Sequence, residues 1–150
     1  MTDNVIELPR KPQVSVVPVL PEHIEEFMAD IMGLIGPAIE RQSANVSAEY
    51  VADDLRKAQS IAWLVYIGDT LTAAITTSVV THPQRNVLKI EFMGGRNMRQ
   101  WMNEAIAFLA NIARHAGLAA LEADGRKGFE KYVEASPFRP VYTNYVMELT

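Results

Sequence analysis

The spacing of apolar residues changes several times along the chain, and each change marks a predicted element. Residues 14–20 are rich in β-branched side chains, which favours a strand, but Pro18 restricts it to a sheet edge because proline has no amide hydrogen. The apolar residues that follow keep a helical period until Gly36 and Pro37, which are expected to end or kink the helix. Ser47 is a suitable N-cap for a second, shorter helix.

The middle of the chain has the patterns of strands. Residues 61–67 form a continuous apolar run, Gly68 and Asp69 signal a turn, and residues 71–81 are rich in Thr, Val and Ile, so that a β-hairpin is predicted. Residues 87–93 alternate between apolar and polar side chains and predict a third strand. Its predicted faces are Leu88, Ile90 and Phe92 on one side and Lys89 and Glu91 on the other.

A long helix and three short elements complete the pattern. Gly94 and Gly95 end the third strand, and Asn97 is placed to cap a helix whose apolar stripe continues to Ala113. Three further elements are predicted beyond this helix: a short strand at residues 118–123, a short helix around residues 129–135 and a last strand at residues 141–149.

This order predicts an α/β fold of the α+β type, with a central mixed, mostly antiparallel sheet of about six strands flanked by four helices. Residues 1–13 carry prolines and charges without a period, which predicts a flexible N-terminal arm before a single domain at residues 14–150.

Composition and charge remove several classes of function. A net charge of -4 provides no general attraction to nucleic acid or anionic membranes, so neither is an expected partner. The absence of cysteine excludes thiolate catalysis and disulfides. No apolar run has the length of a transmembrane helix or a signal peptide, and a soluble, cytoplasmic protein is expected. The three histidines (His23, His82 and His115) have no metal-ligand spacing, so no metal is predicted.

The order of elements and three local sequences resemble the GNAT N-acetyltransferase superfamily. The local sequences are the strand-to-helix passage at residues 90–98, the segment GRKGFEKYVEASPF at residues 125–138, and the closing VYTNYVMEL at residues 141–149. The double glycine followed by Trp101, together with the GRKGFEK run, looks most like small GNAT-like proteins of tailed phages.

The resemblance implies transfer of an acetyl group from acetyl-CoA to an amine of a small molecule or a protein. Glu91 then corresponds to the base that accepts the amine proton, and Tyr132 stands near the place of the family's tyrosine acid, which protonates the leaving thiolate. Main-chain groups of Ile90, Glu91 and Phe92 are the candidates for holding the pantetheine arm. The implied cofactor-binding residues are Ile90, Phe92, Gly94, Gly95, Arg96, Asn97 and Met98.

Two departures from the family's pattern favour a different interpretation. The phosphate loop Arg/Gln-x-x-Gly-x-Gly/Ala is missing in every register around Gly94 and Gly95, and the Arg99 and Trp101 side chains are expected to crowd a pyrophosphate. Tyr132 is one residue out of the family's spacing to the following turn. The alternative is therefore a catalytically inactive GNAT-like phage protein that binds other virion proteins or acts as a scaffold.

Each candidate residue also has a purely structural interpretation. The glycine pair can serve a tight turn, Glu91 can be a charge on the solvated face of a strand, and Tyr132 can pack in the core. The sequence leaves both interpretations open.

Overall fold

The structure is a computed structural model, and residues 12–149 of it are described. Its strands are β1 (Val14–Pro18), β2 (Ile61–Ile67), β3 (Thr70–Thr81), β4 (Asn86–Gly95) and β5 (Leu121–Ala123). Its helices are α1 (Ile24–Glu40), α2 (Ala48–Arg56), α3 (Met98–His115) and α4 (Glu130–Glu134). Short 3-10 turns at Pro21–His23 and Lys127–Phe129 lead into α1 and α4.

The five strands form one sheet in the order β1-β2-β3-β4-β5. All neighbours are antiparallel except β4 and β5, which run parallel and are joined through α3. The mixed, mostly antiparallel sheet with four helices is thus confirmed, although the described residues form five strands rather than about six.

Apolar side chains cover both faces of this sheet. The first cluster lies between the sheet and helices α1 and α2, and it contains Ile31, Ile35, Leu55, Leu64 and Phe92. The second cluster lies between the sheet and α3, and it contains Trp63, Ile75, Ile90, Trp101 and Leu109. The sheet is therefore the middle layer of three, and each face of β4 contacts a different group of helices.

Of the two outcomes that the sequence predicts at Gly36 and Pro37, an end or a kink, the end is wrong, because α1 continues to Glu40. Proline removes one backbone hydrogen bond, to the carbonyl group four residues earlier. Ile35 and Ile39 are both buried on the same side of this helix. Their burial stabilises the last turn and offsets the missing bond.

The last predicted strand, at residues 141–149, does not form within the described chain. These residues pair with no strand, and β5 is also shorter than predicted, because it begins at Leu121 rather than at residue 118. Strand propensity predicts an extended backbone, but a strand also needs a hydrogen-bonded neighbour.

The predicted arm at residues 1–13 falls almost entirely outside the described residues. The carbonyl group of Gln13 already accepts a hydrogen bond from the amide of Gly68 at 2.8 Å, in the turn between β2 and β3. No helix between residues 12 and 149 is long and apolar enough to cross a membrane.

Candidate active site

A bulge at Glu91 changes the register of β4 against β3. Ile90 lies opposite Thr77 and Phe92 lies opposite Thr76, so Glu91 is an additional residue in β4. As a result, the Ile90 side chain belongs to the second cluster and the Phe92 side chain to the first. The predicted common face of Leu88, Ile90 and Phe92 is wrong for this reason.

The Glu91 side chain is half-buried and hydrogen-bonded rather than fully solvated. Its carboxylate accepts a hydrogen bond from the Ser60 hydroxyl group at 2.7 Å. Ser60 is buried and stands two residues before Ala62, a member of the first cluster. The carboxylate therefore lies on the side of the sheet that α1 and α2 cover.

Only the first half of β4 is paired with β5. The parallel register joins three residue pairs, from Leu88 with Leu121 to Ile90 with Ala123. From Glu91 to Gly95, no strand of residues 12–149 pairs with the β5 side of β4. The two strands thus separate at the bulge and leave a free backbone edge beyond it.

The amide directions along β4 show which groups face this free edge. The amide of Phe92 donates to the Thr76 hydroxyl group at 3.2 Å, and the amide of Arg96 donates to the Thr72 carbonyl group at 3.1 Å, so both point toward β3. Because N–H groups alternate in direction along a strand, those of Met93 and Gly95 point toward the free edge. Sequence reasoning missed Met93, since only the bulge reveals this alternation.

Packing requires both glycines at the end of β4. A Cβ atom on Gly94 would overlap the carbonyl oxygen of Leu34 in α1. Gly95 has a φ of 156°, and a Cβ atom there would overlap Ala73 and the carbonyl oxygen of Thr72 in β3. The close approach of two neighbouring elements accounts for the pair without a ligand.

The turn into α3 holds the remaining predicted cofactor-binding residues. Asn97 occupies the N-cap position in the left-handed conformation, with a φ of 54°, but its side chain makes no capping bond. The side chains of Arg96 and Arg99 are exposed, whereas Met98 is half-buried against the second cluster. Backbone amides in the first turn of a helix have no partner within that helix, so those of Met98 and Arg99 remain as donors.

Trp101 does not crowd this turn, contrary to the expectation from the sequence. Its side chain is 0% exposed within the second cluster, and its indole N–H donates to the carbonyl group of Arg96 at 2.7 Å. The indole ring therefore fixes the turn from the inside and leaves its outer surface to Arg96 and Arg99.

Tyr132 lies on the opposite side of the sheet from the Glu91 carboxylate. Its ring is half-buried against the second cluster, with its centroid 6.0 Å from that of Phe129. The Arg126 guanidinium lies over the same Phe129 ring, 5.6 Å from its centroid. This contact holds the basic loop before α4 close to Tyr132.

Lys89 is the nearest cation to Glu91 along β4, two residues before it. Its ammonium group lies 2.8 Å from the Asp124 carboxylate, just beyond β5. The hydrogen bond to Asp124 raises the pKa of Lys89, with smaller contributions from Tyr142 and Glu91, while partial burial acts in the opposite direction. This ion pair joins β4 to the end of β5 at the point where the strands separate.

The opposite end of β4 has a shallow cavity of about 420 Å³. It is lined by His82, Pro83, Gln84, Arg85 and Glu122, and the His82 imidazole lies 3.1 Å from the Glu122 carboxylate. Eight residues of β4 lie between Asn86, beside this cavity, and Gly95. Among residues 12–149, no group of three His, Cys, Asp or Glu side chains is placed to hold a metal ion.

Comparison with known proteins identifies the class of fold. No family model and no curated relative matches the sequence. An aminoglycoside N-acetyltransferase in complex with CoA superimposes with a TM-score of 0.66 at 11% identity, covering 95% of this chain and 99% of that chain. A ribosomal-protein-alanine N-acetyltransferase from Brucella melitensis biovar Abortus 2308 superimposes with a TM-score of 0.64 at 12% identity, covering 92% and 100%.

A Trypanosoma brucei acetyltransferase gives a similar result, with a TM-score of 0.62 at 16% identity and coverage of 91% and 100%. The chain therefore has the GNAT-like fold that its order of elements predicts. At these identities the likeness concerns the fold, and function has to be argued from the site.

Proposed function

We propose that this protein is an acyl-CoA-dependent N-acyltransferase that transfers an acetyl group to an amine. The observation that carries the proposal is the free edge of β4 directly after the bulge that holds Glu91. A free strand edge binds an extended arm through backbone hydrogen bonds, and the amide–carbonyl arm of pantetheine has the required groups. The base candidate stands where this edge begins.

The proposed reaction needs no nucleophile from the protein. The neutral amine nitrogen attacks the thioester carbon, and the oxygen of the tetrahedral intermediate accepts a hydrogen bond from the Met93 amide on the free edge. Glu91 accepts the proton of the attacking nitrogen, directly or through one water molecule. When the carbon–sulfur bond breaks, the thiolate takes a proton from the Tyr132 hydroxyl group, which leaves an amide and CoA. Solvent then takes the proton from Glu91 and returns one to Tyr132.

The positions of Glu91 and Tyr132 suit this division of roles. Glu91 lies on the α1 and α2 side of the sheet and Tyr132 on the α3 side, so the amine and the thiol would occupy opposite sides of the free edge. A base and an acid that are separated in this way do not exchange a proton with each other.

The turn from β4 into α3 would hold the pyrophosphate of CoA. The exposed guanidinium groups of Arg96 and Arg99 supply positive charge, and the first amides of α3 supply donors at the positive end of the helix dipole. The amide of Arg96 is already engaged by Thr72, so this residue would contribute through its side chain. In a chain with a net charge of -4, binding of an anion depends on such a local site.

A specific observation also favours the alternative, a catalytically inactive GNAT-like scaffold or virion-associated phage protein. Gly94 and Gly95 are both explained by packing against Leu34 and Ala73, so their presence does not require a bound cofactor. In this alternative the surface of the fold binds other proteins, and acetyl-CoA is not bound.

Titration calorimetry with acetyl-CoA separates the two candidates. We expect binding in the micromolar to high-micromolar range for the wild-type chain and loss of most of this affinity in Arg96→Glu. Arg114→Glu, at the other end of α3, makes the same change of charge on an exposed residue and is expected to bind as the wild type does. Absence of heat and of a thermal shift at millimolar acetyl-CoA would exclude the enzyme.

Activity is measured as release of free thiol in the presence of a panel of small amines and peptide amines. Glu91→Gln is expected to lower turnover by about 10²–10⁴-fold, the usual contribution of a general base, with little change in acetyl-CoA affinity. Tyr132→Phe is expected to lower turnover while leaving the free energy of unfolding within about 1 kcal/mol of the wild type. If Tyr132→Phe is destabilised and fully active, the tyrosine serves only packing.

A further inference from the structure

Two neighbouring threonines in the middle of β3 are almost completely buried. Thr76 and Thr77 are each 1% exposed, although a hydroxyl group is costly to bury without a hydrogen-bond partner. Because side chains alternate along a strand, the two hydroxyl groups lie on opposite faces of the sheet. Each of them therefore needs its own partner on the face where it is buried.

The Thr77 hydroxyl group belongs to the packing on the α3 side of the sheet. It accepts a hydrogen bond from the indole N–H group of Trp63 at 2.8 Å. Trp63 is a member of the second cluster, as is Ile75, two residues before Thr77 in β3. This bond therefore joins two side chains, one from β2 and one from β3.

The Thr76 hydroxyl group instead holds the backbone of β4 at the bulge. It lies on the α1 and α2 side, two residues after Ala74 of the first cluster, and accepts a hydrogen bond from the Phe92 amide at 3.2 Å. Phe92 directly follows Glu91, the additional residue of the bulge. Because a bulge disrupts the regular ladder of backbone hydrogen bonds, a side-chain acceptor at this place fixes the direction of the amide.

We propose that Thr76 is a positioning residue for acyl transfer, and that it acts through the Phe92 amide on the Met93 amide. While the Phe92 amide donates toward β3, the next amide along the strand, that of Met93, points toward the free edge. The inference rests on the proposed function, in which the Met93 amide donates to the oxygen of the tetrahedral intermediate. Because Thr76 is buried, its effect on the reaction passes through this backbone.

Removal of the Thr76 hydroxyl group would leave the Phe92 amide without this acceptor. Phe92 is only 9% exposed, so an unpaired N–H group there is unfavourable. The strand can satisfy the amide by rotating the peptide unit between Glu91 and Phe92 or by moving the additional residue along β4. Either change displaces the Glu91 carboxylate or the Met93 amide, which are the two groups of β4 that the proposed reaction uses.

Turnover of two variants of Thr76 tests the proposal. Thr76→Val replaces the hydroxyl group by a methyl group of similar size and keeps the β-branched shape. We expect kcat for thiol release to fall by about 10–100-fold, somewhat less than the loss of a whole oxyanion donor causes, with little change in acetyl-CoA affinity. Thr76→Ser keeps the hydroxyl group and should restore most of the turnover.

Thr77→Val is the matched control, because it makes the same substitution at the neighbouring and equally buried position. It removes the acceptor of the Trp63 indole N–H group, so we expect a loss of stability similar to that of Thr76→Val and turnover close to that of the wild type. Equal losses of turnover in the two valine variants, or a Thr76→Ser variant as slow as Thr76→Val, overturn the proposal.

Amide hydrogen exchange separates this proposal from the proposed function, because it needs no activity. We expect the Phe92 amide to exchange at least about tenfold faster in Thr76→Val than in Thr77→Val, since only the first variant removes its acceptor. Equal exchange in the two variants of an active protein contradicts the role of Thr76 alone. A wild type that neither binds acetyl-CoA nor releases thiol contradicts the proposed function, and faster exchange in Thr76→Val would then still support the hold of Thr76 on the bulge.

Discussion

The hydroxyl group of Ser60 donates a hydrogen bond to the Glu91 carboxylate across 2.7 Å and so joins the start of β2 to the bulge in β4. β3 lies between these two strands in the sheet. The contact therefore crosses one strand on the face that α1 and α2 cover. Because Ser60 is buried, this bond restricts the carboxylate to a few orientations at the place where β4 leaves β5.

Ser60→Ala tests whether this orientation matters for catalysis. Under the proposed function, we expect turnover to fall by about tenfold, since a hydrogen bond to a charged group contributes about 1.5–3 kcal/mol. Acetyl-CoA affinity is expected to stay unchanged, because Ser60 is not part of the proposed binding edge. The control Ser78→Ala makes the same substitution in β3, opposite Lys89, and should keep full turnover. Equal turnover in both variants would contradict a positioning role for Ser60.

Gly94→Ala is predicted to destabilise the protein by about 1–3 kcal/mol, the usual effect of overpacking. The added methyl group would overlap the Leu34 carbonyl oxygen and push α1 away from β4. Gly33→Ala, in the same helix, is the control: nothing lies within 4 Å of the added methyl group, and we expect stabilisation by about 0.5–1 kcal/mol. Urea unfolding at pH 7 measures the free energy of unfolding of both variants. If Gly94→Ala is as stable as the wild type, α1 can move away from β4.

The ion pair of Lys89 and Asp124 predicts a stability difference that depends on pH. The folded-state pKa of Lys89 is raised, mainly by the hydrogen bond to Asp124. The pair therefore stabilises the fold below the unfolded-state pKa, about 10.4, and this contribution is lost as the pH rises through the raised pKa. Because Lys89 is partly exposed, we expect only about 0.2–1 kcal/mol.

Asp124→Asn measures this contribution. We expect the variant to be less stable than the wild type at pH 7 and to approach the stability of the wild type at high pH, above the raised pKa of Lys89. In a Lys89→Gln background the same substitution should have no effect at either pH, which separates the ion pair from other roles of Asp124. A stability difference between the wild type and Asp124→Asn that persists at high pH would show that Asp124 stabilises the fold in a way other than this ion pair.

Substitution by phenylalanine is expected to have different effects at the two tryptophans. Trp63→Phe removes the N–H group that donates to the Thr77 hydroxyl group, and Thr77 is 1% exposed. Trp101→Phe removes the N–H group that donates to the carbonyl group of Arg96, an exposed residue. We expect Trp63→Phe to destabilise the fold more, by about 1 kcal/mol. Trp101→Phe alone should accelerate hydrogen exchange of the amides at residues 97–100. Equal exchange in both variants would mean that Trp101 does not fix this turn.

The sequence predicts most of the architecture, because the periods of its apolar residues are regular. The alternation at residues 87–93 correctly indicates a strand, and Ser47 caps its helix, where its hydroxyl oxygen accepts a hydrogen bond from the Tyr50 amide at 3.1 Å. Pro37 misleads, because the burial of Ile39 outweighs the loss of one backbone bond. The local pattern of residues predicts the wrong secondary structure where a contact between residues distant in the sequence decides it.

The candidate site depends on such distant contacts more than the fold does. The bulge at Glu91 arises from pairing with β3, and no feature of residues 87–93 alone indicates it. The position of Met93 on the free edge follows from this bulge. The roles of Gly94 and Gly95 likewise become clear only when α1 and β3 are seen to approach their backbones.

The short parallel pairing of β4 with β5 has a consequence for the order of folding. Short turns join β2 to β3 and β3 to β4, so the contacts between these strands are local and form early in folding. β5 pairs with β4 only after α3 has bridged the two strands, across a separation of 33 residues between Leu88 and Leu121. We therefore expect the edge beside Glu91 to take its final shape among the last events of folding, after α3 has docked on the sheet.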